Sequence, residues 1–177
     1  MIVVSDTTPL ISLMKISRLD LLPELFGEVM IPTAVFEELT SNISYQAEAK
    51  QIRDADFIKV ISVDDSKMVD DFRQSTGLDL GESEAIIYAN SAKADVLLID
   101  ERRGRQVAKN MGLQLMGTVG MILAAHKKEI LSQDEAEAAL YGLRNANIRI
   151  SEELLQNALV MIQQGFDGPS YGGMNLQ

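Results

Sequence analysis

Acidic residues follow two short apolar runs of this chain and also occupy two helix-like segments. Asp6 comes directly after "IVVS", and Asp100 comes directly after "VLLI". Parallel sheets gather functional groups at the carboxyl ends of their strands, so both carboxylates are expected at one edge of a sheet. Glutamates in "PTAVFEEL" and "GESEAI" could reach the same edge from helices. The residue types therefore suggest a carboxylate cluster built from four separate segments.

Each helix-like segment offers a choice between two glutamates. In "AVFEEL", helical geometry puts Glu38 beside the apolar face and directs Glu37 toward solvent. In "DLGESEAI", Asp79 and Glu82 fit a capping box, with the aspartate as N-cap and the glutamate at the third helical position. That gives Glu82 a structural role and leaves Glu84 less explained. Face position does not decide between the last two.

Crowded carboxylates repel one another and resist joint ionisation, and a divalent cation removes that repulsion. The chain has no cysteine and one histidine, His126, which excludes thiolate zinc sites and histidine-rich metal sites. Oxygen ligands favour Mg²⁺ or Mn²⁺, which can activate water and stabilise the leaving oxygen of a phosphodiester. The pattern therefore suits a metal-dependent nuclease. Because the chain has 26 acidic residues, chance placement at strand ends is the alternative.

The elements that would position these acids alternate between short strands and helices. Strands are expected at residues 2–4, 29–31, 57–63, 95–100 and 113–116, and helices at 9–16, 19–25, 32–39, 45–55, 65–75, 79–94, 101–112, 117–128, 133–143 and 151–163. The run "VLLI" is apolar on both faces, which is typical of a parallel strand covered on both sides. The alternation predicts an α/β fold with a mostly parallel central sheet. Thr8 and Thr118 are expected as helix N-caps, and Pro9 as a first helical residue.

Length and charge limit the class of protein. The 177 residues suit one domain, and the net charge of −10 argues against a broad basic surface while allowing a local basic rim. No targeting segment and no apolar run long enough to span a membrane is visible, so a cytoplasmic location is expected. Residues 166–177 are rich in glycine and polar residues and are expected to form a flexible tail.

Five segments in order resemble the PIN-domain family. They are "SDTTPLISL", "IPTAVFEEL", "LGESEAIIYA", "VLLIDERRGRQVA" and "GTVGMI". The resemblance covers roughly residues 1–130 and is nearest to a prokaryotic branch related to VapC-like toxins. It implies a three-layer PIN-like sandwich with a catalytic domain at 1–130 and a C-terminal helical extension of the same domain at 131–165.

The resemblance also implies a Mg²⁺- or Mn²⁺-dependent ribonuclease acting on RNA. Carried over by position, the catalytic and metal-binding acids are Asp6, Glu38, Glu84 and Asp100, with Glu82 and Glu101 as further candidate ligands. This chain departs from the common pattern in having Glu as the third acid and "IDERR" around the fourth. Relatives of this kind suggest a homodimer and a toxin whose antitoxin inserts a segment into the groove.

Two other functions are compatible with the same residues. A degenerate PIN module would bind RNA or protein without cutting it. A phosphotransferase of the haloacid-dehalogenase kind would use Asp6 as nucleophile, but such enzymes need a second aspartate two residues on, where this chain has Thr8. Arg102, Arg103 and Arg105 could contact RNA phosphates, although such a run is more often a solvated helix face.

Overall fold

The computed structural model describes residues 1–41 and 46–165 of the chain. The tail expected to be flexible, at 166–177, lies outside the described residues, as does the first residue of the helix expected at 45–55. The remaining strands and helices can be compared with the expected ones.

Five strands and ten helices alternate along the described ranges. The strands are β1 (Val3–Ser5), β2 (Val29–Pro32), β3 (Ile58–Ile61), β4 (Val96–Leu98) and β5 (Leu115–Met116). The helices are α1 (Thr7–Lys15), α2 (Leu21–Phe26), α3 (Thr33–Ser41), α4 (Gln46–Asp54), α5 (Ser66–Thr76), α6 (Leu80–Ser91), α7 (Arg102–Asn110), α8 (Thr118–Lys127), α9 (Gln133–Asn145) and α10 (Glu152–Gln164). Each one overlaps a segment where the sequence predicts an element of that type, with ends that differ by up to three residues.

The strands form one sheet in the order β3-β2-β1-β4-β5, and every pairing is parallel. β1 lies at the centre, with β2 on one side and β4 on the other. Ser5 is in register with Leu98, and the N–H of Asp6 donates to the Leu98 carbonyl at 3.0 Å. From β1 the chain continues to β2 and β3 on one side of the sheet, and it then crosses to β4 and β5 on the other side. The carboxyl ends of β1 and β4 therefore form the topological switch point, which is where parallel sheets form sites.

Alternate strand residues enter two separate cores. Val3 of β1 and Leu98 of β4 belong to one buried cluster, whereas Val4 and Leu97 belong to the other. Because successive strand side chains point to opposite faces, the sheet is covered on both sides. The expected three-layer α/β sandwich with a parallel sheet is confirmed. Leu155 of α10 lies in the same cluster as Val3.

The start of α1 differs from the expected one. The helix begins at Thr7 with Asp6 in the N-cap position, so Thr8 is not the cap and Pro9 is the third helical residue. Proline is tolerated there because the first-turn N–H groups have no acceptor within the helix. The N-cap of α8 is likewise Gly117 and not Thr118.

Candidate active site

Asp6 occupies the carboxyl end of the central strand. Its backbone has extended N-cap geometry, yet its side chain makes no capping hydrogen bond to α1. The residue is only 2% exposed. A buried aspartate at a helix start normally caps the helix. Asp6 therefore occupies the capping position without making the usual side-chain capping bond.

The electrostatic surroundings of Asp6 disfavour its charge. The pKa of Asp6 is raised from 3.8 to about 7, chiefly by burial and in smaller part by the charges of Glu82, Asp79 and Glu38. The backbone N–H of Thr7 acts in the opposite direction. These four acids come from the end of β1, from α3 and from the start of α6. Their charges interact, although no three acids among the described residues surround one metal position, and the name carboxylate cluster is used below for Asp6, Glu38, Asp79 and Glu82.

Glu38 reaches the cluster from the exposed side of α3. Its Oε2 accepts a hydrogen bond from the Thr7 hydroxyl at 2.7 Å, which ties α3 to the first turn of α1. A Cβ added to Gly81 would lie 3.4 Å from the same Oε2 and 3.6 Å from Oδ1 of Asp79. Oε2 of Glu38 therefore lies at ordinary contact distance from the start of α6.

Glu82 has two oxygens in different surroundings. The expected capping box is confirmed, because Asp79 accepts from the Glu82 N–H at 2.8 Å and Glu82 Oε2 accepts from the Asp79 N–H at 3.4 Å. The other oxygen, Oε1, lies against α7, where a Cβ on Gly104 would approach it to 2.7 Å. Burial, followed by the charge of Asp79, raises the pKa of Glu82. Glu82 is 8% exposed, so it combines a helix cap with a place in the cluster.

The side chain of Glu84 contacts the first turn of α3. Its Oε2 accepts from the Ala34 N–H at 3.2 Å, in the first turn of α3. A carboxylate at this position satisfies a free N–H and favours the positive end of the helix. Sequence reasoning favoured Glu84 over Glu82 as a ligand, whereas the charge that acts most strongly on Asp6 is that of Glu82.

Asp100 lies beyond β4 and is held at the start of α8. Its Oδ1 accepts from the Thr118 N–H at 2.8 Å, and its Oδ2 accepts from the Thr118 hydroxyl at 2.6 Å. A Cβ on Gly117 would be 2.8 Å from Oδ1, so this glycine leaves room for the carboxylate. Glu101 is the N-cap of α7 but makes no side-chain capping bond, and its charge contributes to the raised pKa of Glu82.

Sequence reasoning missed Asp79 as a member of the cluster. It identified this residue only as the N-cap of α6, and the cap is present. The same capping box that fixes Asp79 also brings it next to Glu82. The capping box itself was the available signal. Its two side chains lie together at one helix start, so a candidate ligand at Glu82 implies a second acid beside it at Asp79.

The donor set suits a hard divalent cation. All the acids concerned offer oxygen, and the pKa of Asp6 is raised first by burial and then by the charges of other acids, a repulsion that a divalent cation would offset. Within residues 1–41 and 46–165, no three acidic or histidine side chains are already arranged around one metal position. Hydrogen bonds from other protein groups already hold oxygens of Glu38, Glu82 and Asp100. Binding a cation would require some of these side chains to turn.

Comparison with known protein families identifies the fold. A family model described as a PIN domain matches residues 2–164. The chain belongs to the PIN-domain family. This match runs from β1 to α10 and so spans every described element of the PIN domain. No curated protein and no solved structure matches the chain.

PIN domains are in general nucleases, and they typically use divalent metals. The described helices of this PIN domain include none with the length and apolar character needed to cross a membrane.

Proposed function

We propose that this PIN domain is an endoribonuclease that depends on Mg²⁺ or Mn²⁺. The observation that carries the proposal is Asp6, a carboxylate at the end of the central strand that is buried, makes no side-chain capping bond and has its pKa raised by burial and by the charges of three other acids. An ionised carboxylate at this position lowers the stability of the fold, because burial disfavours the charged form. Retention of this arrangement is most simply explained by a cation that the carboxylates bind.

The proposed roles follow the contacts of each side chain. Asp6, Glu38 and Glu82 would hold the cation, with Asp79 orienting Glu82 through the capping box. A bound Mg²⁺ or Mn²⁺ supplies Lewis acidity and a water of lowered pKa for attack on the phosphodiester. Thr7 would keep Glu38 directed toward Asp6. Burial around Asp6 would exclude bulk water, which strengthens every charge interaction at the site.

Asp100 and Glu84 would act on the site in different ways. Asp100 lies beyond β4, and it would join the cluster only by releasing one of its two bonds to Thr118. Glu101 could then share the charge. Glu84 keeps its bond to the start of α3 and would act on the site only by fixing the helix that carries Glu38.

The direct test is cleavage of structured RNA in Mg²⁺ or Mn²⁺ by the wild type, by Asp6→Asn and by Asp71→Asn, which changes an exposed aspartate of α5. We expect cleavage by the wild type and Asp71→Asn, suppression by EDTA, and a loss of at least about 100-fold in Asp6→Asn, since a ligand should cost more than the residues that orient it. Equal activity of the two variants would remove the assignment.

The finer form of the proposal is the toxin of a cytoplasmic toxin–antitoxin pair, acting as a homodimer. Induced expression should then arrest bacterial growth, and expression of Asp6→Asn should not. Growth arrest by both proteins would separate any toxicity from the carboxylate cluster.

A degenerate PIN module that binds without cutting is the second candidate. It is favoured by one observation, namely that protein donors already hold oxygens of Glu38, Glu82 and Asp100. Calorimetric titration with Mn²⁺ discriminates between the two. Binding that disappears in Asp6→Asn supports the nuclease, whereas absence of binding in the wild type supports the degenerate module.

A further inference from the structure

A cleft of about 610 Å³ opens beside Asp100. Its lining includes Thr8, Asp100 and Glu101, so it adjoins the segments that carry the carboxylates. The remaining walls come from α1, from the turn between β5 and α8, and from the connection between α9 and α10. The cleft thus leads from the carboxyl edge of the sheet to the C-terminal helices.

Four cationic side chains line this cleft, namely Lys15, Arg102, Arg105 and Arg149. Arg105 donates from Nη1 to the Ile99 carbonyl at 2.7 Å. The other three are exposed, and in the described part of the chain none of them has an ion pair or a side-chain hydrogen bond. In a chain with net charge −10, three unpaired cations around one cleft indicate an anionic ligand.

The cations come from three different elements. Lys15 ends α1, Arg102 begins α7, and Arg149 lies in the connection before α10. The N-terminal turn of α7 also lines the cleft and adds the positive end of a helix, whereas the start of α8 is already bonded to Asp100. Positive charge spread along a cleft in this way fits a continuous anion better than a single acidic group.

The rest of the lining is aliphatic and comes chiefly from Ile11, Leu115, Leu123, Leu143, Ile148 and Leu154. Ribose rings and bases can pack on such side chains while their phosphates meet the cations. A cavity of this volume is in the range of small-ligand sites, so it can admit nucleotides of one strand but not a duplex.

We propose that this cleft binds single-stranded RNA on its way to the carboxylate cluster, with phosphates paired to Lys15, Arg102 and Arg149. The identity of the anion as RNA rests on the proposed function. The lining includes Thr8, two residues after Asp6, so a strand held in the cleft lies near the end of β1, which favours RNA over an acidic protein segment.

The test measures binding of a fluorescein-labelled eight-nucleotide oligouridylate in EDTA, so that no cleavage occurs. The cleft variant is Lys15→Gln/Arg149→Gln, and Arg102→Gln is a second, independent variant. The matched control is Lys67→Gln/Lys109→Gln, which removes two exposed charges that do not line the cleft. Thermal unfolding of each variant verifies that it is folded.

We expect the cleft double variant to bind at least about tenfold more weakly than the wild type. The slope of log affinity against log salt should become shallower by about 1.4, since each lost phosphate contact on a single strand contributes about 0.7. The control should retain both the affinity and the slope of the wild type. Arg102→Gln should weaken binding by a smaller factor in the same direction.

Unchanged affinity and slope in both cleft variants would overturn the proposal. So would a wild type that ignores oligouridylate but binds a leucine–glutamate peptide through Lys15 and Arg149, because the occupant would then be protein. Failure of the proposed function has a different signature. In that case the wild type binds RNA through the cleft, and Asp6→Asn binds it equally, but neither cleaves it in Mn²⁺.

Discussion

At the scale of single residues, Asp6 combines burial, like-charged neighbours and the lack of a capping bond. A carboxyl group with a folded-state pKa of about 7 and an unfolded value of 3.8 holds its proton more tightly in the folded state. The stability that this contributes is complete below pH 3.8 and is lost as the pH rises through 7. The ionised residue therefore destabilises the metal-free fold above pH 7.

Asp6→Asn should increase the free energy of unfolding of the metal-free protein at pH 8 by an amount on the order of 4 kcal/mol at most, from about 1.4 kcal/mol per unit of pKa. The gain should fade as the pH falls from 7 to 4, because the wild-type carboxyl becomes protonated. Urea unfolding at pH 8 and at pH 4.5 measures the difference. Asp71→Asn is the exposed control, and a gain for Asp6→Asn that ignores pH would contradict the expectation.

Glu82 and Glu84 are two residues apart but serve different surroundings, so their glutamine variants should differ. Glu82→Gln should lower Mn²⁺ affinity by roughly 10- to 100-fold or more. Glu84→Gln should leave it within a factor of about three, since the amide oxygen can still accept from the Ala34 N–H. Calorimetric titration of both variants decides the matter. The reverse order of losses would restore Glu84 as the ligand.

At the scale of elements, glycines set how closely the helices approach the acids. Gly104 in α7 lies against Glu82, Gly81 in α6 lies near Glu38, and Gly117 before α8 lies against Asp100. A β-carbon at the first or last position would overlap a carboxylate oxygen. The helix packing and the geometry of the acids therefore depend on each other.

Gly104→Ala should lower the free energy of unfolding by about 1–3 kcal/mol and weaken Mn²⁺ binding. The new Cβ would lie 2.6 Å from Ile99 Cδ1 and 2.7 Å from Glu82 Oε1, so α7 or Glu82 must shift. Gly120→Ala is the matched control, because its Cβ would meet only Met116 Cγ at 3.1 Å, on a flexible side chain. Equal Mn²⁺ affinity in the two variants would show that Glu82 tolerates the shift.

At the scale of the whole molecule, one core extends from the first strand to the last described helix. Val3 of β1, Leu140 of α9 and Leu155 of α10 belong to the same buried cluster. Burial of this kind makes elements unfold together, since exposing one leaves its neighbours unpacked. We propose that residues 131–165 form a helical extension of the domain that is inseparable from residues 1–130.

Leu155→Ala should therefore lower the stability of the entire protein. The side chain is 1% exposed, and removing such a leucine typically costs about 2–5 kcal/mol. Unfolding followed by circular dichroism and by tyrosine fluorescence should remain one coincident transition at a lower midpoint. Leu80→Ala, at a residue 39% exposed, should change stability by less than about 0.5 kcal/mol. Two separate transitions would mark the extension as an independent unit.

The sequence by itself determined the strands and helices, the parallel character of the sheet and the capping box at Asp79 and Glu82. These features depend on periodicity and on contacts within one turn, which neighbouring residues supply. Local signals also indicated that Asp6 lacked a structural task. They erred by one or two residues at Thr8 and Thr118, because several positions of a first turn tolerate the same residue types.

Only the tertiary structure decided how the acids are divided between tasks. Glu84 bonds Ala34 across 50 positions, Glu38 bonds Thr7 across 31, and Asp100 bonds Thr118 across 18. Glu82 and Glu84 of α6 each border apolar residues along the helix, so helical periodicity leaves both open. The order of the strands and the packing of α3 and α7 against α6 determine which neighbour each carboxylate meets, and these are contacts between segments remote in the chain.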